Sequence, residues 1–197
     1  MKRVILFSKL TDQNKAKLLK KIFPKELKNK RLAYMPSDGR EMRPKYISQW
    51  RNYALNNNSE FVVVNNSKRG QAASKEANKI RSANILIITG GNTFTLLNHL
   101  RRSGLDKAVK EFVSKDNFVL AGFSAGAIVL TPTIEVATLE GYDENKVGLK
   151  NLIGLNIVDF EVLPHYSADW EQKVNEYQTS NELKKLSDEE ALIVELS

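Results

Sequence analysis

Residue types and spacing first spell out chemistry at Gly122-Phe123-Ser124-Ala125-Gly126. An apolar run from Phe118 to Ala121 leads into this segment, and a small-residue, helix-compatible run follows it. That is the G-x-S-x-G pattern of a serine on a sharp turn between a strand and a helix. Such a turn strains its central residue and crowds the neighbouring positions, which is why glycines flank it. The Ser124 hydroxyl would stand clear of the sheet, and the next backbone N–H, that of Ala125, would point at whatever the serine attacks. The pentapeptide also fits an ordinary glycine-flanked βα turn, so the rest of the chain has to weigh between the two.

A serine nucleophile needs a base, usually histidine. The chain has two. His99 falls inside a predicted helix and reads as a partly exposed helix residue. His165 follows an apolar stretch and Pro164, which places it at a strand's carboxyl end. A second glycine turn, Thr89-Gly90-Gly91-Asn92-Thr93-Phe94, comes directly after a strongly strand-like stretch and opens a helix. Backbone N–H groups at such a helix start bind anions or developing negative charge. Neither the dinucleotide glycine pattern nor the lysine of a P-loop accompanies it. A plain helix cap by Asn92 or Thr93 is the simpler alternative there. The expected site therefore has Ser124 as nucleophile and His165 as base, with Gly91, Asn92 and Ala125 as oxyanion and substrate-binding positions.

A third member should be a carboxylate that holds the imidazole tautomer. Glu135, Glu140, Asp143, Asp159 and Glu161 all lie between the serine and the histidine. At the rise of a strand, Glu161 sits roughly 13 Å along the chain from His165, so it and Asp159 rank lower.

The elements that must carry these residues follow from hydrophobic pattern. Strands are expected over 4–7, 31–35, 60–65, 84–89, 118–121 and 191–196. Helices are expected over 14–23, 45–55, 74–81 and 105–113, and after each glycine turn. Pro36-Ser37-Asp38-Gly39 reads as a turn cluster. Residues 133–139 read as extended, 140–150 as a polar loop, 152–155 and 157–163 as apolar strand-like runs, and 169–186 as helical. Continuous β-branched runs without polar alternation suit a parallel sheet covered on both faces. Strands alternating with helices predict an α/β, doubly wound, mostly parallel sheet with helices on both faces, as a single domain spanning 1–197. In such folds ligands sit beyond the carboxyl ends of the strands, where both glycine turns and His165 fall.

Composition narrows the classes further. The chain has 197 residues and no cysteine, which excludes disulfides, thiolate metal sites and a cysteine nucleophile. No apolar run reaches the roughly 20 residues that span a bilayer. The short apolar run after Lys2-Arg3 reads as a first buried strand rather than a signal peptide, so a cytoplasmic location without membrane association is expected. The formal charge is +7. Much of the excess lies between Lys15 and Arg31, where lysines alternate with Leu18, Leu19, Ile22 and Phe23. That is a solvated helix face rather than a nucleic-acid platform, so no nucleic-acid partner is expected.

The motifs together resemble dipeptidase E, the α-aspartyl dipeptidases, and the related cyanophycinases. The matching pieces are Gly90-Gly91-Asn92-Thr93-Phe94 with Leu96-Leu97, Gly122-Phe123-Ser124-Ala125-Gly126-Ala127, Pro132-Thr133-Ile134 and Leu163-Pro164-His165, in that order. The resemblance implies a glutamine-amidotransferase-like fold with serine at the elbow. It implies a serine-type peptidase acting on dipeptides or small (iso)peptides through an acyl-enzyme on Ser124, with His165 as base and no cofactor or metal. The family's acid would fall at Leu139, so the neighbouring Glu140 is the expected acid. The family's substrate-binding arginine has no counterpart over 169–180, where only Lys173 is basic, so a preference for N-terminal aspartate is not implied. The short C-terminus would either leave a sheet edge for pairing with a second copy, as a homodimer, or shorten the site. An esterase or amidase on the same elbow, or a catalytically silent binding protein, are the alternatives.

Overall fold

The computed structural model describes residues 1–38 and 44–196. Gly39, the last residue of the expected turn cluster, lies outside the described residues. Six strands form the main sheet: β1 (Lys2–Phe7), β2 (Arg31–Met35), β3 (Glu60–Val63), β4 (Ile85–Ile88), β5 (Phe118–Phe123) and β8 (Ala191–Glu195). Their spatial order is β3-β2-β4-β5-β1-β8. All neighbours are parallel except β8, which runs antiparallel to β1. A separate two-stranded parallel sheet joins β6 (Glu161–Leu163) to β7 (Leu183–Lys185).

Strand period two divides the core between the faces of the main sheet. Val4, Leu6, Leu86, Ile88 and Leu120 face one layer. There they pack against α3 (Gly70–Ser82), α4 (Thr93–Ser103), α5 (Leu105–Val113) and α6 (Ala125–Ile128). Ile5, Phe7, Ile85, Ile87, Val119 and Ala121 face the other, against α1 (Lys15–Ile22) and α2 (Pro44–Asn56). Both faces being covered is why these strands read as unbroken apolar runs rather than as alternating ones. The result is the expected doubly wound α/β architecture.

Three stretches depart from the sequence reading. Of the strand-like runs expected over 152–155 and 157–163, only Glu161–Leu163 is a strand, and Ile153 makes one isolated bridge. Residues 133–139 are not extended. They form a single 3₁₀ turn, Glu135–Thr138, closed by Ala137 N–H to the Ile134 carbonyl and Leu139 N–H to the Val136 carbonyl. Only an isolated bridge, Thr133 to Ile153, keeps any strand character there. The helix expected over 169–186 is a 3₁₀ turn, Ala168–Trp170, followed by α7 (Glu171–Glu176), which stops at Tyr177. The physical reason is Glu161, a fully buried carboxylate. It accepts hydrogen bonds from Tyr177 Oη (2.6 Å), Thr179 Oγ1 (3.0 Å), Asn181 Nδ2 (2.8 Å) and Thr133 Oγ1 (3.0 Å). A buried charge is tolerable only when its lone pairs are satisfied. Satisfying this one draws 177–181 inward, and 183–185 then pairs with β6.

Candidate active site

The carboxyl ends of β1, β4 and β5 meet at one edge, because β5 lies between the other two. Phe7 and Phe123 are register partners, and the Ser124 N–H donates to the Phe7 carbonyl at 3.0 Å. That bond fixes the serine at the strand end. Helix α6 then starts at once, and the Ser124 carbonyl accepts from the N–H groups of Ala127 (2.9 Å) and Ile128 (3.2 Å). Between strand and helix Ser124 adopts φ 53°, ψ −125°, outside the favoured regions for a residue with a side chain. Strain of this kind persists only where the surroundings over-determine it. One such constraint is close packing: a Cβ on Gly126 would lie 2.1 Å from the Ile88 carbonyl oxygen, so only glycine lets α6 settle on β4.

The Gly90-Gly91 turn passes directly over the serine. A Cβ on Gly90 would stand 2.8 Å from Ser124 Cβ, and Gly91 holds φ 152°. Gly90 is thus needed for the backbone to pass close to Ser124, and Gly91 for its packing against Ser37, whose Oγ would lie 2.0 Å from an added Cβ. Asn92 serves as the helix cap that was the simpler of its two readings. Its oxygen caps α4 by accepting from Thr95 N–H (2.9 Å), and its Nδ2 donates to the Glu144 carbonyl (2.9 Å). Asp143 adds to this helix start, accepting from the N–H (2.9 Å) and hydroxyl (2.6 Å) of Thr93, where a negative charge complements the helix dipole.

His165 reaches the same edge from β6. Its Nε2 lies 3.0 Å from Ser124 Oγ, and its Nδ1 lies 2.7 Å from Asp188 Oδ1. A carboxylate only accepts, so Nδ1 carries the proton and Nε2 is left to accept from the serine hydroxyl. Asp188 is in turn held by Lys9, whose Nζ is 2.5 Å from the other carboxylate oxygen. Partial burial alone would raise the Asp188 pKa. The hydrogen bonds from Lys9 and His165 outweigh it and hold this carboxyl below the usual range. Asp188 is therefore ionised throughout the neutral range.

The acid on the imidazole is Asp188, not Glu140. Glu140 is exposed, and its backbone carbonyl accepts from Lys173 Nζ at 2.6 Å. Glu161 is committed to its own donors. The chain order is thus serine, histidine, aspartate, whereas the sequence reading sought the acid between the first two. The small β6–β7 sheet explains the placement. Parallel strands end side by side: Leu163 pairs with Lys185, so the residues that follow, Pro164-His165 and Leu186-Ser187-Asp188, emerge together. The sequence does carry one usable signal here, a run of carboxylates, Asp188-Glu189-Glu190, just before the last strand.

Ser8 ties these loops to the main sheet. It is fully buried at the end of β1. Its Oγ accepts from the His165 N–H at 3.0 Å and donates to the Leu186 carbonyl at 3.1 Å. The same carbonyl accepts from Tyr166 N–H at 2.9 Å. These bonds hold His165 at φ 58°, a left-handed conformation uncommon for a residue other than glycine. From the opposite side Tyr142 Oη donates to the Pro164 carbonyl at 3.0 Å. Burial, together with the charges of Asp143 and Asp188, pushes the Tyr142 phenol well up, so it stays a donor.

The carboxyl ends of the strands of a doubly wound α/β fold thus present a strained serine, a histidine and a carboxylate in hydrogen-bonding sequence. Residues 4–196 match the model of Peptidase family S51, and the chain belongs to that family. An uncharacterized peptidase of Listeria monocytogenes is 36% identical over 121 residues, covering 59% of this chain and 58% of the relative. An uncharacterized peptidase of Pasteurella multocida is 27% identical over 179 residues, covering 87% and 84%. Peptidase E of Escherichia coli is 33% identical over 88 residues, covering 45% of this chain and 36% of the enzyme. The match thus spans little more than half the length of the Listeria relative. A crystal structure of a Listeria monocytogenes protein assigned provisionally to Peptidase E superposes with a TM-score of 0.76 at 25% identity, covering both chains fully. A peptidase from an acI-B1 Actinobacterium shares the fold, with a TM-score of 0.68 at 18% identity, covering 98% of this chain and 82% of that one. No helix among the described residues is long and apolar enough to cross a membrane.

Proposed function

We propose that the protein is a serine-type peptidase that cleaves dipeptides or small (iso)peptides through an acyl-enzyme on Ser124. The observation that carries this reading is the continuous relay Ser124 Oγ–His165 Nε2, His165 Nδ1–Asp188 Oδ1, at 3.0 and 2.7 Å. In the first step Ser124 Oγ attacks the scissile carbonyl carbon and its proton passes to His165 Nε2. Asp188 stabilises the imidazolium through the Nδ1–H and stays ionised itself. The carbonyl oxygen becomes an oxyanion. The N–H groups of Gly91 and Ala125 are its proposed donors. Ala125 opens α6, where a helix leaves its first N–H groups without intrahelical partners. As the tetrahedral intermediate collapses, His165 gives the proton to the leaving amine and the C–N bond breaks. Water then repeats the sequence on the ester, with His165 again as base, and frees Ser124.

The relay also bears on the alternative of a silent binding protein. The Asp188 contact on the imidazole speaks against that reading, whereas the lack of an arginine over 169–180, where only Lys173 is basic, speaks for it. The proposed setting is the cytoplasm, in keeping with a sequence free of cysteine. The test is reaction with a fluorophosphonate followed by peptide mapping. Labelling at Ser124, loss of labelling in Ser124→Ala, and loss of peptide turnover by a factor of about 10³ or more in that variant are expected. Full turnover by a folded Ser124→Ala protein would remove the assignment.

A further inference from the structure

Two cavities open on the Ser124–His165 pair, and they differ in size and lining. Gly91, Ser124 and His165 border both, so a bond broken at Ser124 has its substituents directed into the two spaces. The smaller holds about 220 Å³ and lies against Tyr142, Asp143 and Trp170. The larger holds about 660 Å³, within the range of small-molecule sites, and lies over α2 and the ends of β1 and β2.

The larger cavity has an aromatic wall that begins at the nucleophile. Phe123, the residue before Ser124, stacks on Trp50 with ring centroids 6.3 Å apart and planes at 17°. Trp50 continues edge-on to Tyr53 at 5.5 Å and meets Tyr34 at 6.2 Å. Trp50 and Tyr34 are 2% and 3% exposed, so they back the wall from the core, and the surface left to a ligand is that of the half-buried Phe123 and Tyr53. Ile47, one turn earlier on α2, completes the apolar side. A fixed surface of ring faces and edges favours another ring, which can stack or meet it edge-on, over an aliphatic chain of similar size. The motif reading found Ser124 and passed over Phe123, although the same pentapeptide carries both.

We propose that this cavity is the subsite for a large aromatic side chain (Phe, Tyr or Trp) on one of the two residues flanking the scissile bond. The proposal rests on the peptidase reading above and adds a substrate class to it. Phe123 and Tyr53, backed by Trp50, receive the ring, and the smaller Tyr142–Trp170 cavity takes the residue on the other side.

The test separates binding from chemistry. Ser124→Ala protein, checked for folding by circular dichroism, is titrated calorimetrically with Phe-Ala, Ala-Phe and Ala-Ala. One of the two aromatic dipeptides is expected to bind at least about 10-fold more tightly than Ala-Ala. Adding Ile47→Trp, which fills the cavity, or Tyr53→Ala, which removes part of the wall, should bring that ratio close to one. Either variant suffices should the other fail to fold. Equal binding of all three dipeptides, or a ratio untouched by both changes in folded proteins, overturns the subsite. On the wild-type protein, fluorophosphonate labelling reads the nucleophile separately. Absent labelling with a persistent aromatic preference would end the peptidase reading and leave the aromatic subsite standing. Labelling without the preference would do the reverse.

Discussion

The two halves of the catalytic edge are built in different ways. Ser124 hangs from β5, a central strand with parallel neighbours on both sides, and its turn is closed by a helix seated directly on the sheet. Every constraint on it is either local in sequence or part of the main sheet. His165 and Asp188 stand on a two-stranded sheet of three residues per strand, outside the main one. Their positions are set by a few cross-links instead: Ser8 to the main sheet, Tyr142 to the Pro164 carbonyl, and the buried Glu161 to the 177–181 turn. A small appendage of this kind makes few ladder bonds. It keeps its geometry through individual side chains, whose loss should cost positioning more than folding.

The largest test of that contrast after the nucleophile itself is Asp188→Asn. An amide there cannot stabilise the imidazolium, and it favours the wrong tautomer. A loss of kcat of about 10³- to 10⁴-fold is expected, with KM changed little. Steady-state kinetics checks this, with thermal melting as the control for folding. The charge has a second consequence. The Asp188 carboxyl titrates below its ordinary value in the folded protein. Its contribution to stability is therefore complete above the ordinary carboxylate pKa, and is lost as pH falls through the depressed folded value. Asp188→Asn should flatten the stability–pH curve in that acid window. Urea titrations from neutral pH downward would show this. An unchanged acid slope would mean that the Lys9 and His165 contacts do not hold Asp188 in solution.

The same contrast governs what could be read in the sequence. The elbow was legible because one short segment contains the strand, the turn and the helix start, and sterics alone requires Gly126. The apolar runs of β1, β4 and β5 announced a two-sided parallel sheet for the same local reason. Asp188 was not legible, because its place depends on β7, a strand of three residues whose sequence, Leu183-Lys184-Lys185, carries no strand signal. The polar stretch before it reads as helix on propensity. A buried carboxylate with four donors overrides that propensity, and nothing in local periodicity marks Glu161 as buried. Asn92 had two readings, an oxyanion or substrate-binding position and a helix cap, and the cap, a local demand, is the one that its side chain serves.

Ser8→Ala should give a smaller effect than Asp188→Asn, and one of a different kind. The hydroxyl touches no reacting atom. It holds the His165 N–H and the Leu186 carbonyl together beneath the site. Its removal leaves the His165 N–H short of a partner, while the Leu186 carbonyl keeps the Tyr166 N–H, at a cost of about 1–3 kcal/mol of stability. It also loosens His165 relative to Ser124. A drop in kcat of about 10-fold with KM nearly constant is expected, since geometry within the relay is affected and substrate contacts are not. Ser8→Thr, which keeps the hydroxyl, should recover part of the rate if the added methyl fits. A purely structural role would appear as lower melting temperature with kcat intact.

The smallest expected effect is the most discriminating for the acid. Glu140 lies within the segment where the family resemblance directs attention, yet its contact with the region is through its backbone. The Glu140 carbonyl accepts from Lys173 Nζ, whose ammonium also lies 5.3 Å from the centre of the Trp170 ring. That link ties the 140–143 loop to the start of α7 and survives any side-chain change at 140. Glu140→Gln should therefore leave kcat and KM within about two-fold of wild type, in the range of exposed substitutions that break no buried contact. Lys173→Met, by contrast, removes the ammonium itself and should raise KM through the smaller cavity, which Trp170 lines. A loss beyond 10-fold in Glu140→Gln, with Asp188→Asn nearly silent, would reverse the roles assigned to the two carboxylates. It would also mean that the β6–β7 appendage positions only the base.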